Sequence, residues 1–281
     1  MTNSFKTVLL LGLLTGVLIY GGELFLGRNG LYMGLAFAVV MNFSSYFFSD
    51  KIALATYHAQ PVTPDQNPDA YRRVAPIVEN LTRRMGLPMP KLYLIAEQSP
   101  NAFATGRNPS HASVAFTAGI LDLMTDQELE GVVAHELGHV LHRDILISSV
   151  AATLAGAIMF ASRLGFFFGG ARDDRNREGG GIGALLMLIL GPIAALLIQM
   201  AISRSREYDA DAASAKYTGT PYELISGLQK LETWSKRLPM AATPSTAHLF
   251  IIKPSSGAWF QSLWSTHPAT AERIRRLQEM R

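Results

Sequence analysis

The apolar positions of the chain gather into four long blocks instead of the short periods of an ordinary soluble domain. Thr7 to Gly22 carries no charge and runs on through Leu24, Phe25 and Leu26 with Glu23 as its interruption, and Asn29 to Ser49 is also uncharged. A third block, Ile145 to Ser162, continues past Arg163 through Phe166, Phe167 and Phe168, and a fourth runs from Gly179 to Ser203. A bilayer core roughly 30 Å thick is crossed by about 20 helical residues, so each block predicts a membrane-spanning helix. Their spacing groups the four into two hairpins. No small-x-small cleavage pattern follows the first block and a second span comes soon after it, so the first is expected to be a retained anchor and not a signal peptide. The third and fourth blocks are apolar on every face, which lipid satisfies more readily than a soluble core does.

The polar remainder lies in two stretches, 50–144 and 204–281. The first opens on Pro61, Pro64 and Pro68 and then shows a helical pattern around Tyr71 to Met85, stopped by Gly86 with Pro88 and Pro90 beyond. Short β-like runs follow at Lys91–Ala96, Ala102–Thr105 and Ser113–Thr117, which predict a small sheet. Thr125-Asp-Gln-Glu128 is a capping-box pattern that opens a helix, and with no breaker before the third block that helix is expected to run directly into the membrane. The expected fold class is α+β, mainly α-helical: a transmembrane hairpin at 1–49, one part of a domain outside the membrane at 50–144, a second hairpin at 145–203 and the other part of that domain at 204–281. The charged, glycine-rich 169–181 stretch reads as a solvated turn within the second hairpin.

Composition narrows the chemistry. The 281 residues contain no cysteine, which removes thiol nucleophiles, disulfide frameworks and cysteine-held metals, so a metal must sit on His, Asp or Glu. The 25 basic and 22 acidic residues are dispersed, and nothing in their distribution supports nucleic-acid binding.

The chemistry-bearing stretch is His135-Glu136-Leu137-Gly138-His139. Residues four apart share a helix face, so His135 and His139 present two imidazoles to one tetrahedral zinc. Glu136 lies beside that position, where it can take a proton from an attacking water, and Gly138 is expected to keep the helix face open. A catalytic zinc takes a third protein ligand and keeps one position open. His142 is too far along a rigid helix to serve well. Glu207, in Ser-Arg-Ser-Arg-Glu-Tyr-Asp-Ala-Asp, is better placed, and Asp211 one turn on can accept the free ring N–H of a ligand histidine. Taken alone, that stretch also reads as a charged helix start at a membrane surface.

HELGH at 135–139, SRSREYDAD at 203–211, NAFATGR at 101–107 and THPATAERI at 266–274 together resemble the HtpX-type membrane zinc endopeptidases, relatives of the CAAX prenyl protease. The resemblance covers nearly the whole chain. It implies a zincin-like catalytic domain of the gluzincin type, with one zinc on His135, His139 and Glu207, Glu136 as general base and Asp211 behind a ligand histidine. It further implies that Asn101, Ala102 and Phe103 lie along the substrate cleft as an edge strand, and that His267 and Arg273 belong to the catalytic machinery. A positioned histidine is a suitable donor to the oxyanion of amide hydrolysis, whereas Arg273 with Arg275 and Arg276 also reads as a solvated basic helix end.

His139 and Glu207 flank the third and fourth blocks, so two crossings return both to one side of the bilayer, close to its surface. Lys6, Lys51, Arg143, Arg204 and Arg206 bias that side toward the cytoplasm, and the resemblance points to a bacterial inner membrane. It alone implies substrates that are unfolded or misassembled membrane proteins. Phe250, Ile251, Trp259 and Trp264 within 249–264 suit either a flap at the headgroup level or core packing. Two rivals stand beside a protease: a membrane zinc transporter, and a scaffold whose zinc is structural and closed by a fourth ligand.

Overall fold

The computed structural model describes residues 3–148, 150, 204–237 and 268–280. Most of the third apolar block, the fourth, the 169–181 turn, the 249–264 stretch and His267 lie outside the described residues.

The first two blocks form α1 (Asn3–Thr56), which is broken at Gly27 (φ 61°, ψ −147°), a backbone geometry that favours glycine. The break folds the helix back on itself. A Cβ on Gly34 would stand 2.3 Å from the Leu18 carbonyl oxygen, and Asn42 Nδ2 donates to Thr15 Oγ1 at 2.8 Å across the pair. Gly27–Phe48, with mean hydropathy 1.5, is long and apolar enough to cross a membrane, and most of its surface is unburied.

The chain then builds a four-stranded mixed sheet in the order β1-β2-β4-β3 from β1 (Gln60–Pro61), β2 (Lys91–Ile95), β3 (Ala102–Gly106) and β4 (Ala112–Thr117). β2 and β4 run parallel, while β1 and β3 pair antiparallel with their neighbours, which leaves β3 on an edge. Period-two alternation separates the faces. Ala102, Ala104, Val114 and Phe116 enter the main core, whereas Phe103, Ala115 and Ile95 pack with Leu54 and Tyr57 near the end of α1.

The main core surrounds α4 (Asp126–Leu141), a helix buried along most of its length. Around it lie α2 (Pro68–Met85), the short α3 (Ala118–Leu123), α5 (Arg204–Thr218), α6 (Tyr222–Arg237) and α7 (Thr270–Glu279). α2 sends Val74, Val78, Leu81 and Met85 inward, and α6 sends Leu224, Ile225, Leu228 and Leu231, both at helical spacing. Small residues set the approach of α5: a Cβ on Gly138 would lie 3.1 Å from Ala210 Cα, and Ser214 Oγ donates to the Gly131 carbonyl at 2.7 Å. Gly138 therefore lets a neighbouring helix come close, and does not hold a face open.

The capping box is present. Thr125 Oγ1 accepts from the Glu128 amide at 3.3 Å, and Glu128 Oε2 accepts from the Thr125 amide at 2.8 Å. Glu128 also receives Lys230 Nζ and Ser226 Oγ, both at 2.6 Å, which ties α6 to the start of α4. Burial works to raise the Glu128 carboxyl, but these donors outweigh it and hold it at about 2. A carboxyl lowered in the folded state adds stability that is complete above the unfolded value and is lost as pH falls toward the folded one. Glu128→Gln is thus expected to cost about 1–3 kcal/mol at pH 7. The gap to the parent should close as pH falls below about 4.5 and on toward 2. Thermal unfolding of both proteins across that range checks it; an undiminished gap at acid pH would assign the loss to packing.

A second expectation is overturned. α4 does not run into the third block: it stops at Leu141, Arg143 is left-handed (φ 58°), and helical backbone resumes only at 145. The amides of His142, Arg143 and Asp144 turn back to the carbonyls of Gly138, Val140 and His139, satisfying the helix end as a left-handed cap does. The stretch contains neither Gly nor Pro, so the break carried no ordinary punctuation.

Candidate metal centre

His135 and His139 sit one turn apart on α4, with ring centroids 4.8 Å apart and planes nearly perpendicular. α5 crosses at Gly138 and brings Glu207 opposite both. Glu207 Oε2 is 3.7 Å from His135 Nε2, and Oε1 is 3.7 Å from His139 Nε2. Ligand atoms of the three residues all lie within 4.8 Å of one another, the one such group among the described residues. Two imidazoles and one carboxylate converging in this way form a donor set that fits zinc.

The other ring nitrogens face carboxylates. His135 Nδ1 is 2.9 Å from Asp211 Oδ1, and His139 Nδ1 is 3.3 Å from Asp144 Oδ2. A carboxylate on Nδ1 favours the tautomer with its proton there and leaves the Nε2 lone pair for a metal. On α5, Glu207 and Asp211 share the inner face at i, i+4, so one helix supplies both a ligand and the support for another. Asp211 is itself clamped: Arg273 Nε and one terminal nitrogen donate to its two oxygens at 2.9 and 2.6 Å. Burial works to raise Asp211, but Arg273 and the contact with His135 carry it down to about 2. Burial likewise opposes charge on His139, yet the bond to Asp144 and the charges of Glu207 and Glu136 lift it to about 9 while no metal is bound, so a metal on Nε2 displaces a proton from that imidazole.

Arg273 is 1% exposed, whereas Arg275 and Arg276 are solvated and paired with Glu272. The apparent basic helix end is therefore an amphipathic helix whose inner face, Arg273 and Leu277, enters the core. Arg273 also approaches Glu207 Oε2 at 3.8 Å and the two ring nitrogens of His135 at 3.3 and 3.4 Å, which places it directly against the donor group.

Glu136 is buried, and its Oε2 accepts the Ala104 amide at 3.0 Å. The β3 register explains this contact. Asn101 pairs with Thr117 through Thr117 N–H at 2.9 Å, so the backbone groups of Ala102, Ala104 and Gly106 turn away from β4, toward the edge that no strand pairs among the described residues, although β3 itself is buried. Of the expected cleft residues, Ala102 presents its backbone to that edge and Asn101 directly precedes the strand. The Phe103 ring points to the opposite face, against Leu54 and Tyr57. His142 is exposed at the end of α4 and lines a separate recess with Asp209, Lys216 and Tyr217. Asp144 was missed by the sequence reasoning; an Asp immediately before an apolar run is an N-cap signal that would have marked the break.

Residues 68–281 match Peptidase family M48. Proteins described as "Protease HtpX homolog" are similar along the whole chain. The one from Desulforapulum autotrophicum is 49% identical over 99% of this chain and 90% of its own. That from Desulfatibacillum aliphaticivorans is 51% identical over 99% and 89%, and that from Ralstonia pickettii 48% over 100% and 97%. The crystal structure of S. mikatae Ste24p shares the fold with a TM-score of 0.55 at 18% identity, covering 98% of this chain and 65% of that longer one. With a family match over three-quarters of its length and relatives near half identity throughout, the chain belongs to peptidase family M48.

Proposed function

We propose that the chain is a multi-pass, zinc-dependent endopeptidase of the gluzincin type, acting on unfolded or misassembled membrane proteins from the cytoplasmic face of a bacterial inner membrane. Family membership, the donor group and the apolar helix make it a membrane metalloprotease; the finer statements are our reading. The carrying observation is the convergence of His135, His139 and Glu207, each imidazole backed by a carboxylate on its far nitrogen.

His135, His139 and Glu207 would hold the zinc, which supplies Lewis acidity toward the attacking water and the scissile carbonyl. Glu136 acts as the base: it takes the proton of the attacking water and delivers it to the leaving amine. The Ala104 amide fixes one oxygen of that carboxylate and leaves the other to work. An extended substrate would lie along β3, where the backbone groups of Ala102 and Gly106 and the carbonyl of Ala104 turn to the edge. Asp211 and Arg273 keep His135 in place, and His267 is proposed as the oxyanion donor.

The four-span arrangement, with a catalytic domain assembled from 50–144 and 204–281, accords with the α1 hairpin. Phe43, Tyr46, Phe47 and Phe48 gather toward the end of its second arm, with Lys51 over the Phe48 ring at 5.4 Å and Arg107 over the Phe47 ring at 5.4 Å. Aromatic and cationic residues side by side suit a bilayer interface. Substrate leaving the membrane would meet the cleft nearby.

The test is metal content together with hydrolysis. Purified protein is expected to carry one zinc per chain and to cleave an unfolded substrate in detergent. Chelation should stop the reaction, zinc should restore it, and Glu207→Ala should lose both metal and activity. Unchanged zinc in that variant would remove Glu207 from the ligand set, and zinc flux into proteoliposomes without hydrolysis would favour a transporter.

A further inference from the structure

We infer that Asp144 is a positioning residue for the metal centre, holding His139 as Asp211 holds His135; this rests on the zinc reading above. The two histidines have parallel carboxylate surroundings, although His135 is the more enclosed and also meets Arg273 Nη2 at 3.3 Å. Each turns Nε2 toward one oxygen of Glu207, at 3.7 Å in both cases, and each meets a buried carboxylate at Nδ1. Asp211 is 1% exposed and Asp144 2%. Each carboxylate also has an arginine at hand: Arg273 on Asp211, and Arg206 with Nε 3.9 Å from Asp144 Oδ1. Arg206 directly precedes Glu207, so α5 carries a ligand, the support of one histidine and the cation beside the support of the other.

The break in α4 makes the contact possible. Asp144 is five residues after His139, and on an unbroken helix it would lie about 140° further around the axis. The left-handed Arg143 reverses the chain, the Asp144 amide bonds to the carbonyl of His139 at 2.8 Å, and the carboxylate comes back over the ring of the same residue. A plain helix stop would need no acid at that place. An imidazole held on one side by a carboxylate loses less rotational freedom when it takes a metal on the other, and loss of such a partner weakens metal binding by about 10–100-fold.

Asp144 also precedes the helix that resumes at 145, and its carbonyl accepts the Ser148 amide at 3.2 Å, so a capping role must be separated from a metal role. Asp144→Asn and Asp144→Ser both keep a capping oxygen. Asn lacks the charge, and Ser lacks the reach to His139. Zinc affinity by chelator competition and the visible spectrum of the cobalt(II)-loaded protein are measured beside unfolding of the metal-free protein, with Asp69→Asn, an exposed acid far from the site, as control. Both Asp144 variants should bind zinc about 10–100-fold more weakly and shift the cobalt bands, beyond whatever loss of the carboxylate beside buried Arg206 costs the metal-free fold, while the control stays at the parent's values. Parent-like zinc affinity and cobalt spectrum in both variants would overturn the inference and assign Asp144 to the helix start. A parent protein that holds no zinc would sink the zinc reading and this role together.

Discussion

Glu136→Gln is expected to retain one zinc per chain and the parent's unfolding temperature while peptide hydrolysis falls by about 10²–10⁴-fold, the usual contribution of a positioned acid–base group. The substitution isolates charge from shape. Glu136 is buried between α4 and β3 and accepts the Ala104 amide at 3.0 Å, and a glutamine oxygen can accept the same bond. The replacement lacks a group basic enough to take a proton from water. Glu136 is outside the donor group formed by His135, His139 and Glu207, so metal content should not follow activity down. The measurement is initial cleavage rate of an unfolded substrate in detergent, with zinc determined on the same sample. Full activity with zinc retained would mean that some other group moves the proton.

The parts of this site differ in how plainly the sequence declares them. His135, Glu136 and His139 are local: their spacing along one helix is enough, and the capping box at Thr125 and Glu128 announces that helix. Helix α2 and the three longer strands are legible for the same reason, since Gly86, the prolines and the alternation of apolar positions act within a few residues. The order β1-β2-β4-β3 is not, because pairing between Lys91–Ile95 and Ala112–Thr117 is decided by which faces must be covered by α4 and α2. Glu207 stood out only because two histidines need a third partner, and its meeting with them depends on how closely Gly138 admits Ala210.

Asp144 and Arg273 mark where one-dimensional reasoning fails, for opposite reasons. At Arg143 the backbone turns left-handed without glycine or proline, so Asp144 itself was the remaining sign that the helix ended, and that acid looked like part of a membrane entry. Arg273 lies among charged neighbours, and its composition suggests solvent. Burial is decided by the docking of α7, whose Leu277 enters the core and carries Arg273, four residues earlier on the same face, in with it.

Arg273→Met is expected to destabilise the folded protein by about 3–5 kcal/mol, because it leaves Asp211 ionised in a buried site without the cation that compensates it. The guanidinium bonds both carboxylate oxygens, and Asp211 in turn holds His135 at 2.9 Å, so zinc affinity should fall alongside stability. Arg273→Lys retains a charge but cannot make the paired contact, and should fall between the two. The double variant Arg273→Met with Asp211→Asn separates the causes. If the loss comes from the stranded carboxylate, neutralising Asp211 should recover much of the stability lost by Arg273→Met alone, a coupling that a double-mutant cycle reads directly. Zinc affinity should not recover with it, since Asp211→Asn now gives His135 a neutral partner where the parent has a charged one. Denaturant unfolding of the metal-free proteins gives the first quantity and chelator competition the second. A single variant as stable as the parent would show that Arg273 carries no such burden, whereas simple additivity in the cycle would place its contribution in the packing of α7.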